Sequence, residues 1–256
     1  MMAAVADLLT PMLLMFALLG FVIGVSKTSI GGLAAIGVAV AALVMPARES
    51  TAAILALLIA GDLVAIWFFG RHVDWSLLRR LVPAVLPGLI LGTAFLSVVS
   101  DQMLRHAIGV MLLVLVALQL WVGQRRRRGG DTAGTSRVDH PVASWVTGAA
   151  AGFTTMTANA AGAVMTLYFV AKGVDKARFI GSFAWFFLGV NLAKVPFSVG
   201  LGLMTWSHVS RSVIVFPVIA LGGLVGRALV RRLRQHQFEV AVLLGSAVAA
   251  VALIVG

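Results

Sequence analysis

The sequence predicts an all-α polytopic membrane protein. It would be built as two inverted-topology repeats with broken or re-entrant helix pairs, about 8–10 membrane segments in all. Three observations predict this. Apolar residues make up 61% of the 256 residues and charged residues only 11%, with a mean hydropathy of +1.04; a soluble domain covers its surface with about a quarter charged residues. The apolar residues fall in long uncharged runs, whereas a membrane barrel shows alternating segments of about ten residues. Finally, two stretches of one texture open the two halves: Gly20 to Gly37 (GFVIGVSKTSIGGLAAIG) and Gly148 to Gly162 (GAAAGFTTMTANAAG).

A helix crosses a bilayer core of about 30 Å with about 20 apolar residues. On that measure the first two segments are 8–26 and 28–46, meeting at Lys27. The N-terminus lacks a basic region and carries Asp7, so the first run is expected to be a retained helix and not a cleaved signal peptide. Pro46, Arg48 and Glu49 form a tight turn, and a third segment over 50–70 contains Asp62. The polar link Arg71-His72-Val73-Asp74-Trp75 follows, with Arg79 and Arg80. A fourth segment, 81–99, holds Pro83, Pro87, Gly88 and Gly92, and a fifth covers 103–122. Residues 123–141 (GQRRRRGGDTAGTSRVDHP) are the extended polar, glycine-rich stretch and read as a flexible cytoplasmic linker.

The uncharged run from Pro141 to Ala171 reaches roughly 45 Å as one helix, too long for one straight span and too short for two. Its centre, Thr154 to Asn159, is small and polar, which predicts two short helices with a break. Irregular backbone at that depth is tolerated only where protein or a cavity surrounds it. A helix over 178–200 then carries Asn191, Lys194 and Pro196. A link with Trp206 and His208 leads to a helix over 211–230 with Pro217, Gly222 and Gly226, and a last helix covers 239–255. Trp67, Trp75, Trp121, Trp145 and Trp206 lie near segment ends as interface anchors.

The halves match. Pro83, Gly88 and Gly92 recur at one constant offset as Pro217, Gly222 and Gly226; Trp75-Ser76 recurs as Trp206-Ser207; Asp62 lies near the place of Asn191. This divides the chain into a first repeat (1–122), the linker (123–141) and a second repeat (142–256). The basic clusters Arg71/Arg79/Arg80, Arg125–Arg128, Lys172–Arg178 and Arg231–Arg234 should all be cytoplasmic. Five segments per half then place both termini outside, in the periplasm of a bacterial inner membrane. The second half is inverted relative to the first.

Net charge is +11, from 20 Lys+Arg against 9 Asp+Glu. Because the basic residues sit between apolar runs, they serve topology and no nucleic-acid role is expected; the Arg125–Arg128 run also suits anionic lipid. The absence of cysteine excludes disulfides, thiol catalysis and thiolate metal sites. The five histidines are scattered without metal-ligand spacing, and no phosphate-binding loop or nucleophile elbow occurs. Neither an enzyme, a cofactor nor a metal is expected.

A small anion suits the polar residues that remain. Lys27, between two uncharged runs, is either a cationic partner for an oxyanion at a helix break or a turn lysine reaching water. Beside it Ser29, Gly31 and Gly32 would donate hydroxyl and amide hydrogen bonds at helix N-termini. Lys194 follows Asn191 by three residues, so both face one side of their helix. They form either a second part of the site or a structural lysine paired with Asp62. Asp62 itself could pair with a lysine or relay a proton. Thr154, Thr155, Thr157 and Asn159 either line the second break or bond back to their own helix. Gly88/Gly92 and Gly222/Gly226 fit small-xxx-small packing.

The order Ser29-Ile30-Gly31-Gly32, Gly61-Asp62, Arg71-His72-Val73-Asp74-Trp75 and Asn191-Leu192-Ala193-Lys194-Val195-Pro196 resembles the sulfite exporter TauE/SafE family of bacterial membrane permeases over nearly the whole chain. The resemblance implies export of sulfite or an organosulfonate. Protons are a candidate coupling ion, membrane lipid surrounds the protein, and oligomerisation is left open. The alternatives are an anion channel and a permease for another small anion.

Overall fold

The computed structural model describes residues 11–29, 37, 41, 45–127, 141–171 and 176–232. Among these the secondary structure is helical: α1 Pro11–Thr28, α2 Ala47–Phe69, a 3-10 turn Gly70–His72, α3 Trp75–Val98, α4 Asp101–Arg127, α5 Pro141–Ala158, α6 Ala161–Ala171, α7 Lys176–Gly200, α8 Trp206–Ile214 and α9 Phe216–Arg232. The expected second segment (28–46), nearly all of it, the linker beyond residue 127 and the last segment (239–255) lie outside the described residues.

Local chemistry sets the ends. Pro11 and Pro141 open α1 and α5, where a missing N–H costs nothing. Asp74 caps α3, its carboxylate accepting from the Ser76 backbone N–H at 3.0 Å and from the Ser76 hydroxyl at 2.6 Å. Those bonds, the hydroxyl's first, hold the Asp74 carboxyl below the ordinary carboxylate range. The Asp74 N–H donates to the Ser182 hydroxyl at 2.8 Å, tying this corner to α7. At the end of α7, Gly202 adopts φ +68°; its N–H bonds to Val199 O and the Leu203 N–H to Ser198 O, a Schellman closure.

Three boundaries differ from the expectation. Lys27 lies inside the last turn of α1, where its positive charge complements the negative end of the helix dipole. α4 runs on to Arg127, into the segment expected to be linker, because Gln and Arg are good helix formers. The link expected around Trp206 and His208 is helical: Thr205 and His208 form a reciprocal capping box that starts α8 at Trp206. A 56° bend then separates α8 from α9. Pro217 has no N–H to continue the ladder, so the chain turns at Val215.

Four helical stretches are long and apolar enough to cross a membrane: Pro11–Thr28, Ala47–His72, Leu81–Val98 and Arg178–Gly200. The bent pair Trp206–Ile214 and Phe216–Leu229 makes a fifth. This is fewer than the 8–10 segments expected, counted among the described residues. Val82, Leu86, Ile90, Leu91 and Val98 stand exposed along α3, as side chains facing acyl chains do. Trp67, Trp75, Trp121, Trp145 and Trp206 are all exposed too.

The helices pair through glycine. A Cβ at Gly88 of α3 would lie 2.0 Å from Ala149 O of α5, and one at Gly152 of α5 would lie 2.2 Å from Val85 O of α3. The pairing of α9 with α1 repeats this: a Cβ at Gly24 would lie 2.1 Å from Ile219 O, and one at Gly222 2.3 Å from Phe21 O. Such approach is how small residues drive helix association where lipid removes the hydrophobic contribution. Gly88→Leu should therefore lower stability by about 3 kcal/mol, the upper range for overpacking. Gly189→Ala, where nothing lies within 4 Å of the added carbon, should stay within about 0.5 kcal/mol of wild type. Unfolding midpoints in detergent distinguish the two.

Candidate functional site

α2 and α7 cross at the centre of the molecule, each burying a polar residue. Asp62 of α2 and Asn191 of α7 are both fully buried, and Asn191 Nδ2 donates to Asp62 Oδ2 at 2.7 Å. An amide N–H can be received there only by a carboxylate oxygen acting as acceptor. The other carboxylate oxygen, Oδ1, lies 2.6 Å from Lys27 Nζ at the end of α1. The Lys27 ammonium also sits 4.5 Å from the centroid of the Phe187 ring of α7, a cation–π contact. Gly61 leaves room for the Lys27 stem, since a Cβ there would be 3.1 Å from Lys27 Cγ.

Lys194, one turn beyond Asn191 on α7, points at the α5–α6 break. Its Nζ donates to Thr155 O at 2.6 Å, to Thr155 Oγ1 at 3.4 Å, and to Asn159 Oδ1 in a short hydrogen bond. The Asn159 amide orientation follows from its other bond, Nδ2 to Thr51 O of α2 at 3.1 Å. Asn159 is the break: α5 ends at Ala158, α6 begins at Ala161, and Asn159 adopts φ +49°. Asparagine tolerates this left-handed conformation better than most residues. Two carbonyl oxygens, one of the backbone and one of an amide side chain, and one hydroxyl thus surround the Lys194 nitrogen.

The structure thus joins five of the expected residues, Lys27, Asp62, Asn191, Lys194 and Asn159, with Thr155, in two adjacent polar clusters. The pairing of Lys194 with Asp62, one alternative raised above, does not occur: Lys27 takes the carboxylate and Lys194 takes the break. The reason is reach, since Asp62 faces α1 and Asn191 across the crossing while Lys194 lies against α5. The other hydroxyls bond to their own helices: Thr154 Oγ1 to Ala150 O at 2.8 Å, Thr157 Oγ1 to Phe153 O at 2.8 Å, and Ser29 Oγ to Val25 O at 2.6 Å. Gly31 and Gly32 lie outside the described residues. No group of three or more metal-ligating side chains occurs among the described residues.

Three participants escaped the sequence reading. Phe187 and Thr51 contribute a ring face and a backbone carbonyl, for which no residue pattern gives a signal. Thr28 donates to Gly223 O at 2.8 Å and fixes the end of α1 against α9. His208, buried beneath the α8 cap, meets Glu49 of α2 at 3.3 Å; both carry charge chemistry, but nothing in their spacing predicts the pair.

No curated protein and no solved structure matches the chain significantly. The family model for the sulfite exporter TauE/SafE matches residues 16–253, a range that takes in both polar clusters and the helices that carry them, and the chain therefore belongs to that family of membrane transporters.

Proposed function

We propose that this protein exports a small sulfur oxyanion, sulfite or an organosulfonate, across the bacterial inner membrane as a secondary transporter. The observation that carries the proposal is the pair of buried lysines at the crossing of α2 and α7. A lysine in a membrane interior is costly, and it is kept where it faces a cavity, a partner or a substrate. Lys27 uses an ammonium donor on Asp62 and one face on Phe187, and an ammonium has three donors. An oxyanion has acceptor oxygens that suit the rest. Ser29, Gly31, Gly32, Thr154 and Thr157 remain candidates for the lining of the path, and Asp62 for a charge pair that opens during the cycle.

Alternating access of two inverted halves is the mechanism this arrangement supports. α9 packs on α1 through Gly24 and Gly222 as α3 packs on α5 through Gly88 and Gly152, and Asp62 meets Asn191 across the centre. Exchanging the halves 1–122 and 142–256 leaves that pattern unchanged, as an in-plane pseudo-twofold requires. Each half also joins a helix end to its neighbour by a lysine: Lys27 of α1 to α2, and Lys194 of α7 to α5. An inside-negative potential assists export of an anion by about 2.3 kcal/mol per charge per 100 mV.

The test is efflux of radiolabelled sulfite from proteoliposomes under an imposed potential. Saturable efflux above protein-free vesicles, accelerated by a negative interior, is expected. Efflux equal to protein-free vesicles for sulfite and for small sulfonates alike, at every potential and pH gradient, would remove the proposal.

A further inference from the structure

A groove of about 460 Å³ runs between α3 and α7, lined by Trp75, Arg79 and Pro83 on one side and Leu188, Gly189 and Leu192 on the other. Arg79 is the one charged residue of its lining. A Cβ at Gly189 would meet nothing within 4 Å, so the space is open there. Val82 and Leu192 at the rim are about half exposed. Both helices supply apolar stretches of membrane length, Leu81–Val98 and Arg178–Gly200, so the groove opens toward acyl chains. A second groove of about 430 Å³ lies between α2 and the α8–α9 pair, lined by Ile59, Ala60 and Leu63 on one side and Val209, Val213 and Pro217 on the other. Ile59, Ala60 and Leu63 precede Leu188, Gly189 and Leu192 by one constant offset, which also separates Asp62 from Asn191. Val209, Val213 and Pro217 follow Trp75, Arg79 and Pro83 by another, which also separates Gly88 from Gly222. The two grooves correspond position by position, and Val213 stands where the first has Arg79. The second groove forms without a charge, so packing does not account for the arginine.

Arg79 is exposed and makes no ion pair with a described carboxylate. Beside it Trp75 and Trp185 pack with ring centroids 5.5 Å apart, and Trp185 Nε1 donates to Gly70 O at 3.1 Å. Tryptophans mark the headgroup level of a bilayer, so the guanidinium stands at that level and the apolar part of the groove extends deeper. The carboxylate nearest in sequence, Asp74, is taken up by the N–H and hydroxyl of Ser76. Arg71, exposed in the 3-10 turn, and Arg178, in the field of Asp74, add positive charge near the start of α3. We propose that this groove binds an anionic phospholipid, with its phosphate on Arg79 and one acyl chain against Leu188, Gly189 and Leu192. A guanidinium pairs with phosphate oxygens through two parallel N–H donors, and the chain fills the space the two helices leave open. The counterpart groove, with Val213, takes an acyl chain without selecting its headgroup.

Native mass spectrometry of the purified full-length protein in detergent, titrated with phosphatidylglycerol or phosphatidylcholine, reads bound lipid and oligomeric state together. Wild type should hold phosphatidylglycerol at least about fivefold tighter than phosphatidylcholine. Arg79→Gln should weaken phosphatidylglycerol at least about fivefold and leave phosphatidylcholine unchanged. Gly189→Leu, which fills the groove and leaves the arginine in place, should lose the same lipid molecule. Lipid held by other basic residues is common to all three proteins and drops out of the comparison. Arg79 is exposed, so its variant tests the site even where Gly189→Leu does not fold. Equal affinity for the two lipids in wild type, or a phosphatidylglycerol affinity unmoved in Arg79→Gln, would overturn the proposal. Displacement of the lipid by soluble glycerol phosphate would overturn it in favour of a free phosphate on Arg79. A dimer that Gly189→Leu dissociates would overturn it in favour of a second copy of the chain in the groove.

Discussion

Asp62→Ala is expected to destabilise the protein by about 3–5 kcal/mol, because it leaves the Lys27 ammonium buried without its counter-charge. Lys27 is 7% exposed and Asp62 is 0% exposed, so water cannot compensate either group. The same change also strips Asn191 of the acceptor for its amide. The double variant Lys27→Met/Asp62→Leu removes both charges and should recover most of that loss, since replacing a whole buried pair by apolar residues is often neutral or stabilising. Unfolding midpoints of Lys27→Met, Asp62→Leu and the double variant, measured in one detergent, give the coupling directly. Additive losses would mean that the 2.6 Å contact contributes nothing specific. The two variants should differ from wild type in transport as well, because neither retains the charge arrangement at the crossing of α2 and α7.

The second large effect is expected at Asn159, where one residue does two jobs. Its backbone supplies the left-handed turn between α5 and α6 at φ +49°, and its side chain bridges Lys194 to the Thr51 carbonyl. Asn159→Gly keeps the turn without strain and deletes the bridge. It should cost about 1.5–3 kcal/mol, the range for a hydrogen bond to a charged group, and lower sulfite flux at least about tenfold. Asn159→Ala deletes the same bridge and also forces a Cβ into the left-handed region, at a further cost of about 1–2 kcal/mol. The stability difference between the two variants isolates the backbone contribution, and the flux they share isolates the side chain. Unchanged flux in a folded Asn159→Gly protein would show that the bridge to Lys194 is structural only.

Much of this was legible in the chain because membrane physics leaves few choices. A lysine or a carboxylate in an apolar run must find a partner, so Lys27, Asp62 and Lys194 declared themselves by composition alone. Asn159 and Thr155 were visible as polar residues where the run from Pro141 to Ala171 could be neither one span nor two. The glycines at 88, 92, 222 and 226 were legible as packing surfaces by their spacing, and the structure sets all four against facing helices. What was not legible is which partner each polar group chooses. Lys27 and Lys194 are equally suited to Asp62 by charge, and only the crossing of α2 and α7 decides between them. The hydroxyls were open to two readings for a general reason. Thr154, Thr157 and Ser29 satisfy themselves on carbonyls three or four residues back, an option that every helical Ser or Thr has and that no sequence pattern excludes. The bend at Val215 was missed because one helix was expected straight through Pro217 over 211–230, whereas here the chain bends by 56° just before it.

The measurement that bears most directly on a lysine-centred anion site is sulfite binding to purified wild type and Lys194→Gln, by calorimetry in detergent. Lys194 bonds to Thr155 and Asn159 and not to Asp62, and glutamine keeps hydrogen-bond donors for Thr155 and Asn159 while removing the basic nitrogen. Saturable binding in wild type, weakened at least about a hundredfold in a variant that remains folded, is the predicted result. Equal affinity in the two proteins would contradict it and place the anion away from the crossing of α2 and α7.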